Sequence, residues 1–268
     1  MRLLMCGDVV GRSGRKVVTD NLKRLRERYA IDFVIVNGEN AAGGFGITPK
    51  ICNELFDAGA DAITTGNHVW DQRDIIPHFD KEPRLLRPDN FPKGTPGKGV
   101  GQFTDARGRK VVILHLMTRL FMDPLDDPFA AVTEMLNTWR LGSNTDAIVL
   151  DFHGEASSEK MAMGHLFDGK ATMVVGTHTH VPTSDHRIME KGTAYQTDIG
   201  MCGDYNSVIG MNRDNSLKKF LKDSSAENHF PALGEATISG LLVTADDDTG
   251  LAKKVQPIIL GGSLQERI

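Results

Sequence analysis

The chain has 268 residues, and 31 basic against 35 acidic side chains leave a formal charge of −4. With 40% apolar and 25% charged residues, this is the composition of a folded globular protein with a substantial core, built as one large domain or two small ones. The mild acidity argues against a dedicated nucleic-acid binder, whose phosphate contacts need clustered Lys and Arg.

Signals for membranes and secretion are also lacking. No apolar run nears the ~18 residues of a membrane span. Leu3–Cys6 halts at Gly7-Asp8, short of the ~7–15-residue core of a signal peptide. Cys6, Cys52 and Cys202 form an odd set without a CxxC pair, which suits reduced thiols and a cytoplasmic location.

In chain order, short apolar runs alternate with helix-period segments. Leu3–Val10 reads as a strand. A helix over Arg15–Tyr29 follows, with Val17, Val18, Leu22 and Leu25 inward and a basic face toward solvent. Phe33–Val36 is the next strand. Thr48-Pro49 then offers an N-cap and an N1 proline to a helix carrying Ile51, Leu55 and Phe56, with Gly59 as its stop. After the strand Ala62–Thr65, the Pro/Gly-rich stretch Arg87–Gly101 reads as a long surface or active-site loop rather than a linker between domains. The strand Val111–Leu116 precedes a second capped helix from Asp127-Pro128, with Phe129, Val132, Leu136 and Trp139. Ala147–Phe152, Thr172–Val175 and Ala194–Thr197 are further strands. Ala236–Thr244 and Ala252–Leu260 form an antiparallel hairpin around Asp246-Asp247-Asp248-Thr249-Gly250, an acidic turn expected to be solvated. The rhythm specifies an α/β fold in a single domain over residues 1–268, with helices packed on the faces of a sheet.

The chemistry lies just past the strands. Asp8 comes after the first, Glu39-Asn40 after the second and Asn67-His68 after the third; Asp151 and His153 end a fourth, and His178-Thr179-His180 come after a fifth. Ligand crevices of α/β sheets open beyond the carboxyl ends of their strands. Separate segments thus deliver Asp, Glu, Asn and His to one edge. His78, His115, His165, His186 and His229 lack that placement as a group and read as structural. A set rich in oxygen and imidazole, with no convergent thiolate, suits Fe, Mn or Zn better than Mg or Ca. It holds more potential ligands than one ion needs, and two ions sharing a carboxylate account for the surplus. Rival chemistries lack their marks: there is no GxxxxGK[ST] loop, no G-x-G-x-x-G after a strand and no GxSxG elbow.

Gly66-Asn67-His68 and Gly176-Thr177-His178-Thr179-His180 resemble the GNH and GHxH blocks of the calcineurin-like metallophosphoesterases. That superfamily usually opens with Asp-x-His and then Gly-Asp, where this chain has Asp8-Val9-Val10 and Gly38-Glu39-Asn40. The narrower YmdB-like family of bacterial phosphodiesterases is similar at these points too. Its pattern resembles Gly7-Asp8-Val9-Val10-Gly11, Asn37-Gly38-Glu39-Asn40-Ala41-Ala42 and Gly66-Asn67-His68-Val69-Trp70-Asp71. It continues through Asp151-Phe152-His153, Ser158-Glu159-Lys160, the GTHTH block and Ser207-Val208-Ile209-Gly210-Met211.

The resemblance implies the calcineurin-like metallophosphoesterase fold, a four-layer α/β/β/α sandwich with its metal site at the strand ends. It implies two transition-metal ions, iron before manganese or zinc. Glu39 would bridge them; Asp8, Asn40 and His180 would complete one site, and Asn67, His153 and His178 the other. His68 would be the proton donor. The implied reaction is hydrolysis of cyclic nucleotides of the 2′,3′-cyclic AMP class, or other phosphodiesters. A hydroxide held between ions about 3.5–4 Å apart would attack phosphorus while His68 protonates the leaving alkoxide. Phe45, Trp70 and Phe121 are candidate stacking partners for a nucleobase. A small-molecule substrate and self-association into a homo-oligomer are the expected partners, with no membrane and no nucleic acid as main partner. The alternative is a regulatory or scaffold metalloprotein with little turnover.

Overall fold

The computed structural model describes residues 1–267. The first apolar run divides into β1 (Arg2–Cys6) and the short β2 (Asp8–Val9), so the expectation of one strand over Leu3–Val10 is corrected. The break is steric: a Cβ at Gly7 would lie 1.9 Å from the Gly200 carbonyl oxygen, where a distant segment crosses. Helix α1 (Gly11–Tyr29) starts earlier than the Arg15 expected and buries Val18, Leu22 and Leu25. Next come β3 (Phe33–Asn37), α2 (Pro49–Asp57) and β4 (Ala62–Thr64). The Thr48 hydroxyl accepts from the Ile51 amide at 3.3 Å, the cap expected of Thr48-Pro49. A 3₁₀ turn, Arg73–His78, leads toward β5 (Val100–Thr104) and β6 (Lys110–Met117).

The second half runs α3 (Pro128–Thr138), β7 (Ala147–His153), α4 (Ser157–Phe167), β8 (Met173–Thr177), β9 (Arg187–Ile188), β10 (Ala194–Gln196) and β11 (Met201–Cys202). Helix α5 (Arg213–Phe220) precedes the hairpin of β12 (Ile238–Ala245) and β13 (Ala252–Leu260). At the hairpin turn Asp246 accepts from the Asp248 and Thr249 amides and pairs with Lys253, a solvated turn as expected.

Two sheets carry the fold. One is five-stranded, ordered β13-β12-β1-β3-β4; the other is six-stranded, ordered β5-β6-β7-β8-β10-β9. β1, β3 and β4 run parallel in the first, as do β6, β7, β8 and β10 in the second. A small β2–β11 ladder lies apart. One apolar cluster joins the sheets through Leu3, Met5 and Ile35 of the first and Ile113, Val149 and Val175 of the second. Residues of opposite parity, Leu4, Val34 and Val36, pack with Val18 and Leu22 of α1 and Leu55 of α2. On the second sheet Leu114, Leu150 and Val174 meet Val132 of α3 and Met163 and Phe167 of α4. Strands buried on both faces read as continuous apolar runs, which is why they stood out in the sequence. Each such Leu, Ile or Val stabilises by roughly 1.5–3 kcal/mol relative to exposure.

The expected loop Arg87–Gly101 is shorter by two residues, since Val100 and Gly101 belong to β5 and pair with β6; the rest is held from within, where buried Arg87 donates to the Pro88 and Pro96 carbonyls at 2.6 and 3.0 Å. Among the described residues no helix is long and apolar enough to cross a membrane.

Candidate metal centre

Because β1, β3 and β4 run parallel, their carboxyl ends present Asp8, Glu39-Asn40 and Asn67-His68 side by side. The carboxyl ends of β7 and β8, in the facing sheet, bring His153 and His178-Thr179-His180 to the same place. Two groups of ligand atoms result, each lying within 4.8 Å of one another: Glu39 with His153 and His178, and Asp8 with Glu39 and His180. Glu39 belongs to both. Asn67 Oδ1 lies 3.0 Å from His153 Nε2, and Asn40 Oδ1 lies 3.1 Å from His180 Nε2. All seven residues expected as ligands are thus gathered. Gly66 makes the approach possible, since a Cβ there would stand 2.1 Å from Glu39 Oε2 and 2.3 Å from His153 Nε2.

Surrounding hydrogen bonds decide which nitrogens face inward. Thr177 gives its proton to Asp151 Oδ1 at 2.7 Å, so it accepts from His153 Nδ1 at 2.8 Å and leaves Nε2 turned toward Glu39, the nitrogen that could bind a metal once it gives up its proton. His180 Nδ1 donates to the Ile209 carbonyl at 2.7 Å, which bares its Nε2 in the same way. Asn40 Nδ2 donates to the Gly44 carbonyl at 3.0 Å, turning Oδ1 inward. Outer partners that orient metal-binding imidazoles act in this manner. Ile209 is a β-branched residue at φ 47°, a strained conformation retained where its carbonyl is needed. His178 and His180 also have positive φ, 99° and 64°. Their loop is braced by the buried Lys160, whose Nζ donates to the Thr177 carbonyl and to Asp198 Oδ2 at 2.8 and 2.9 Å. The same Asp198 oxygen accepts from the Thr179 amide at 3.1 Å.

The protein alone leaves this site electrostatically unbalanced. Burial and the neighbouring Glu39 charge push the Asp8 carboxyl well above its usual range. Asp8 Oδ1 is buried with no hydrogen-bond partner. Burial would also raise Glu39, but the His153 ring at 3.1 Å outweighs it and holds Glu39 well below the usual carboxylate range. His153 is pulled down by burial, yet Glu39 and Asp8 raise it to about 9. Burial and the His153 charge push His178 down to about 3. A cation would supply what is missing, since Asp8 and Glu39 could hold it among ready imidazole and amide donors and it would offset both carboxylates. The donor set fits a metal.

A cavity of about 550 Å³ opens over the cluster, lined on that side by Glu39, Asn40, His68, His178 and His180. His68 donates its amide to Glu39 Oε2 at 3.2 Å, while its Nδ1 lies 2.8 Å from Asp71 Oδ2. Phe45 meets the His68 ring edge-on at 5.1 Å. Of the three aromatic residues nominated for a base, only Phe45 lines the cavity. Trp70 packs instead against Phe79 and Phe91 in the core, and Phe121 is 88% exposed away from the lining. The Arg87–Gly101 loop contributes no lining residue, so of the two readings it is a surface loop.

Sequence reasoning quoted Asn37, Asp71 and Thr177 within motifs but gave them no role, and it missed Asp198; all four act through other residues and carry no ligand signature. Asn37 accepts from the Glu39 amide and donates to Asp151 Oδ2, tying the two sheets together beneath the site. His115, read as structural, is buried and joins Thr65 to Asp151. His229, also set aside, lines the cavity.

The family model described as YmdB-like protein matches residues 4–258. The chain is 46% identical over 260 residues to the 2′,3′-cyclic-nucleotide 2′-phosphodiesterase of Bacillus subtilis (strain 168), covering 97% of each. It superposes with a TM-score of 0.90 on a hypothetical protein from Thermus thermophilus, at 39% identity, covering 98% of this chain and 100% of that one. A phosphatase from Mycoplasma pneumoniae also gives 0.90, at 34% identity over 97% of this chain and 93% of that one. The clustered carboxylates and imidazoles fit the metal-binding site of a metallophosphoesterase. With matching sequence along nearly its whole length, the chain belongs to the YmdB-like family.

Proposed function

We propose that the chain is a metal-dependent phosphodiesterase that hydrolyses 2′,3′-cyclic nucleotides. The observation that carries this reading is Glu39, shared by two ligand groups on the floor of a substrate-sized cavity. Asp8, Glu39, Asn40 and His180 would hold one ion; Glu39, Asn67, His153 and His178 would hold the other. Mixed oxygen and imidazole donors suit iron, manganese or zinc, and the family likeness implies iron first. When bound, the ions supply Lewis acidity toward water and the phosphoryl oxygens.

The remaining work falls to side chains. Thr177 and the Ile209 carbonyl keep the His153 and His180 rings oriented. His68 donates through Nδ1 to Asp71, so Nε2 is the atom that holds the proton for the leaving ribose alkoxide. Asp71 fixes the orientation of that ring. The three apolar clusters support reading the chain as one four-layer α/β/β/α domain. A cytoplasmic homo-oligomer is the form we expect.

The test is elemental analysis of tag-free protein purified without chelator, followed by assay on 2′,3′-cyclic AMP. Two ions per chain and turnover are expected. His68→Ala should keep the metal and lower kcat by about 10²–10⁴-fold. No metal after reconstitution, or a His68→Ala variant that empties the site, would overturn the scheme.

A further inference from the structure

The cavity extends well past the ligand cluster. Its outer flank is formed by Phe45, Val181, Ile209, Met211 and Phe220, with His229 at the rim. The clustered ligands account for a phosphate, and none of these flank residues belongs to the ligand groups. Val181, Ile209 and Phe220 are 55, 53 and 78% exposed, so large apolar side chains stand in water at the mouth of a charged site. Such exposure beside a polar cleft marks a surface built to be covered.

The flank is held in shape. Asn215, buried on α5, donates to the Glu227 and Asn228 carbonyls at 3.2 and 3.1 Å and accepts from the Glu227 amide at 2.8 Å. That clamp joins the helix carrying Phe220 to the segment carrying His229. Ile209 is kept at positive φ by the turn that also serves His180, so flank and ligand cluster share one backbone element. Ser216, 1% exposed, lines the same wall, and its hydroxyl has no partner among the described residues.

We propose that this flank seats the nucleobase of the substrate, with Phe220 as its stacking face and Phe45 bounding it on the His68 side. The inference rests on the phosphodiesterase reading and deepens it. An apolar, aromatic wall continuous with an anion-binding floor matches a flat heteroaromatic ring tethered to a phosphate through ribose. Phe45, Val181, Ile209, Met211 and Phe220 offer no donor or acceptor, so the seat acts by stacking, which every base supports. The Ser216 hydroxyl and the His229 imidazole, each able to donate or accept, are the polar groups of the flank that can meet a base edge.

The test compares kcat/KM of the metal-loaded protein on 2′,3′-cyclic AMP and on ethylene phosphate, a five-membered cyclic phosphodiester without sugar or base. In Phe220→Ala the preference for 2′,3′-cyclic AMP should fall roughly tenfold, through KM rather than kcat, and Phe220→Trp should restore it. Phe220 is exposed, so both variants should fold, and circular dichroism checks this. An unchanged preference in Phe220→Ala, or an equal loss on both esters, overturns the base seat while leaving the phosphodiesterase intact. Wild-type protein that hydrolyses neither ester overturns the underlying activity, and the seat with it.

Discussion

In and beneath the cavity floor, Glu39, Asp8 and His153 are 1, 0 and 0% exposed, each at the end of a parallel strand and each bonded to a neighbouring segment. Most of the outer flank is carried by the segment after β8 and by the long connection between β11 and β12, with Phe45 added from the segment after β3, and Val181, Ile209 and Phe220 reach water. The contrast follows from what each region must do. Charge in a low-dielectric floor is useful only if donors and acceptors stay fixed, because an unmatched group there is costly. A surface that contacts the variable part of a ligand needs shape without charge, and a loop supplies that at little cost to the fold.

Removing the shared carboxylate is the hardest blow to the floor. Glu39→Ala should bring metal content, read by elemental analysis, close to zero and lower phosphodiester turnover by about 10³-fold or more. A variant that kept two ions would break the bridging assignment. Next is the brace beneath the His178 loop. Lys160→Met leaves Asp198 buried without its counter-charge, and urea unfolding should show a loss of about 3–5 kcal/mol. An unchanged midpoint would mean that Asp198 finds another partner and that the loop does not depend on this pair.

The floor also carries a pH signature when metal is stripped. His153, raised from 6.5 to about 9, stabilises the fold fully below pH 6.5 and loses that contribution as pH climbs through 9. His178, depressed from 6.5 to about 3, makes the fold less stable as pH falls from 6.5 toward 3. Chelated protein should therefore have its highest Tm near pH 6.5 and lose several degrees toward pH 9. Bound ions require both rings neutral, so the loaded protein should peak at higher pH. A chelated Tm that climbed steadily from pH 6.5 to 9 would refute the His153–Glu39 pairing. The smallest effect belongs to the flank's surroundings. Leu221, 79% exposed just past α5, should tolerate Leu221→Ser within about 0.5 kcal/mol by the same unfolding assay. A larger loss would show that this region is packed after all.

Legibility in the sequence followed burial chemistry. β3, β6, β7 and β8 are buried on both faces and read directly as apolar runs, whereas α4 escaped notice. Its buried positions, Lys160, Met163, Gly164 and Phe167, have helical spacing, but two of the four are a lysine and a glycine. Lys160 faces inward only because Asp198 and the Thr177 carbonyl await it, and Gly164 because a Cβ there would strike the Tyr195 ring at 2.6 Å. α5 was hidden for a similar reason, since its buried residues are Asn215 and Ser216. The side chains of the cluster were readable because each comes directly after its strand and keeps its chemistry in any fold.

By itself the sequence determined the α/β alternation, the long buried strands and the set of carboxylate, amide and imidazole groups at their ends, since periodicity and residue type are local properties. Only the tertiary structure decided that Glu39 stands between two ligand groups and that Nε2 of His153 and His180 faces inward. It also placed Phe220, rather than Trp70 or Phe121, beside them. Those outcomes depend on which segments cross in space, and no local pattern records the distance between residues far apart in the chain.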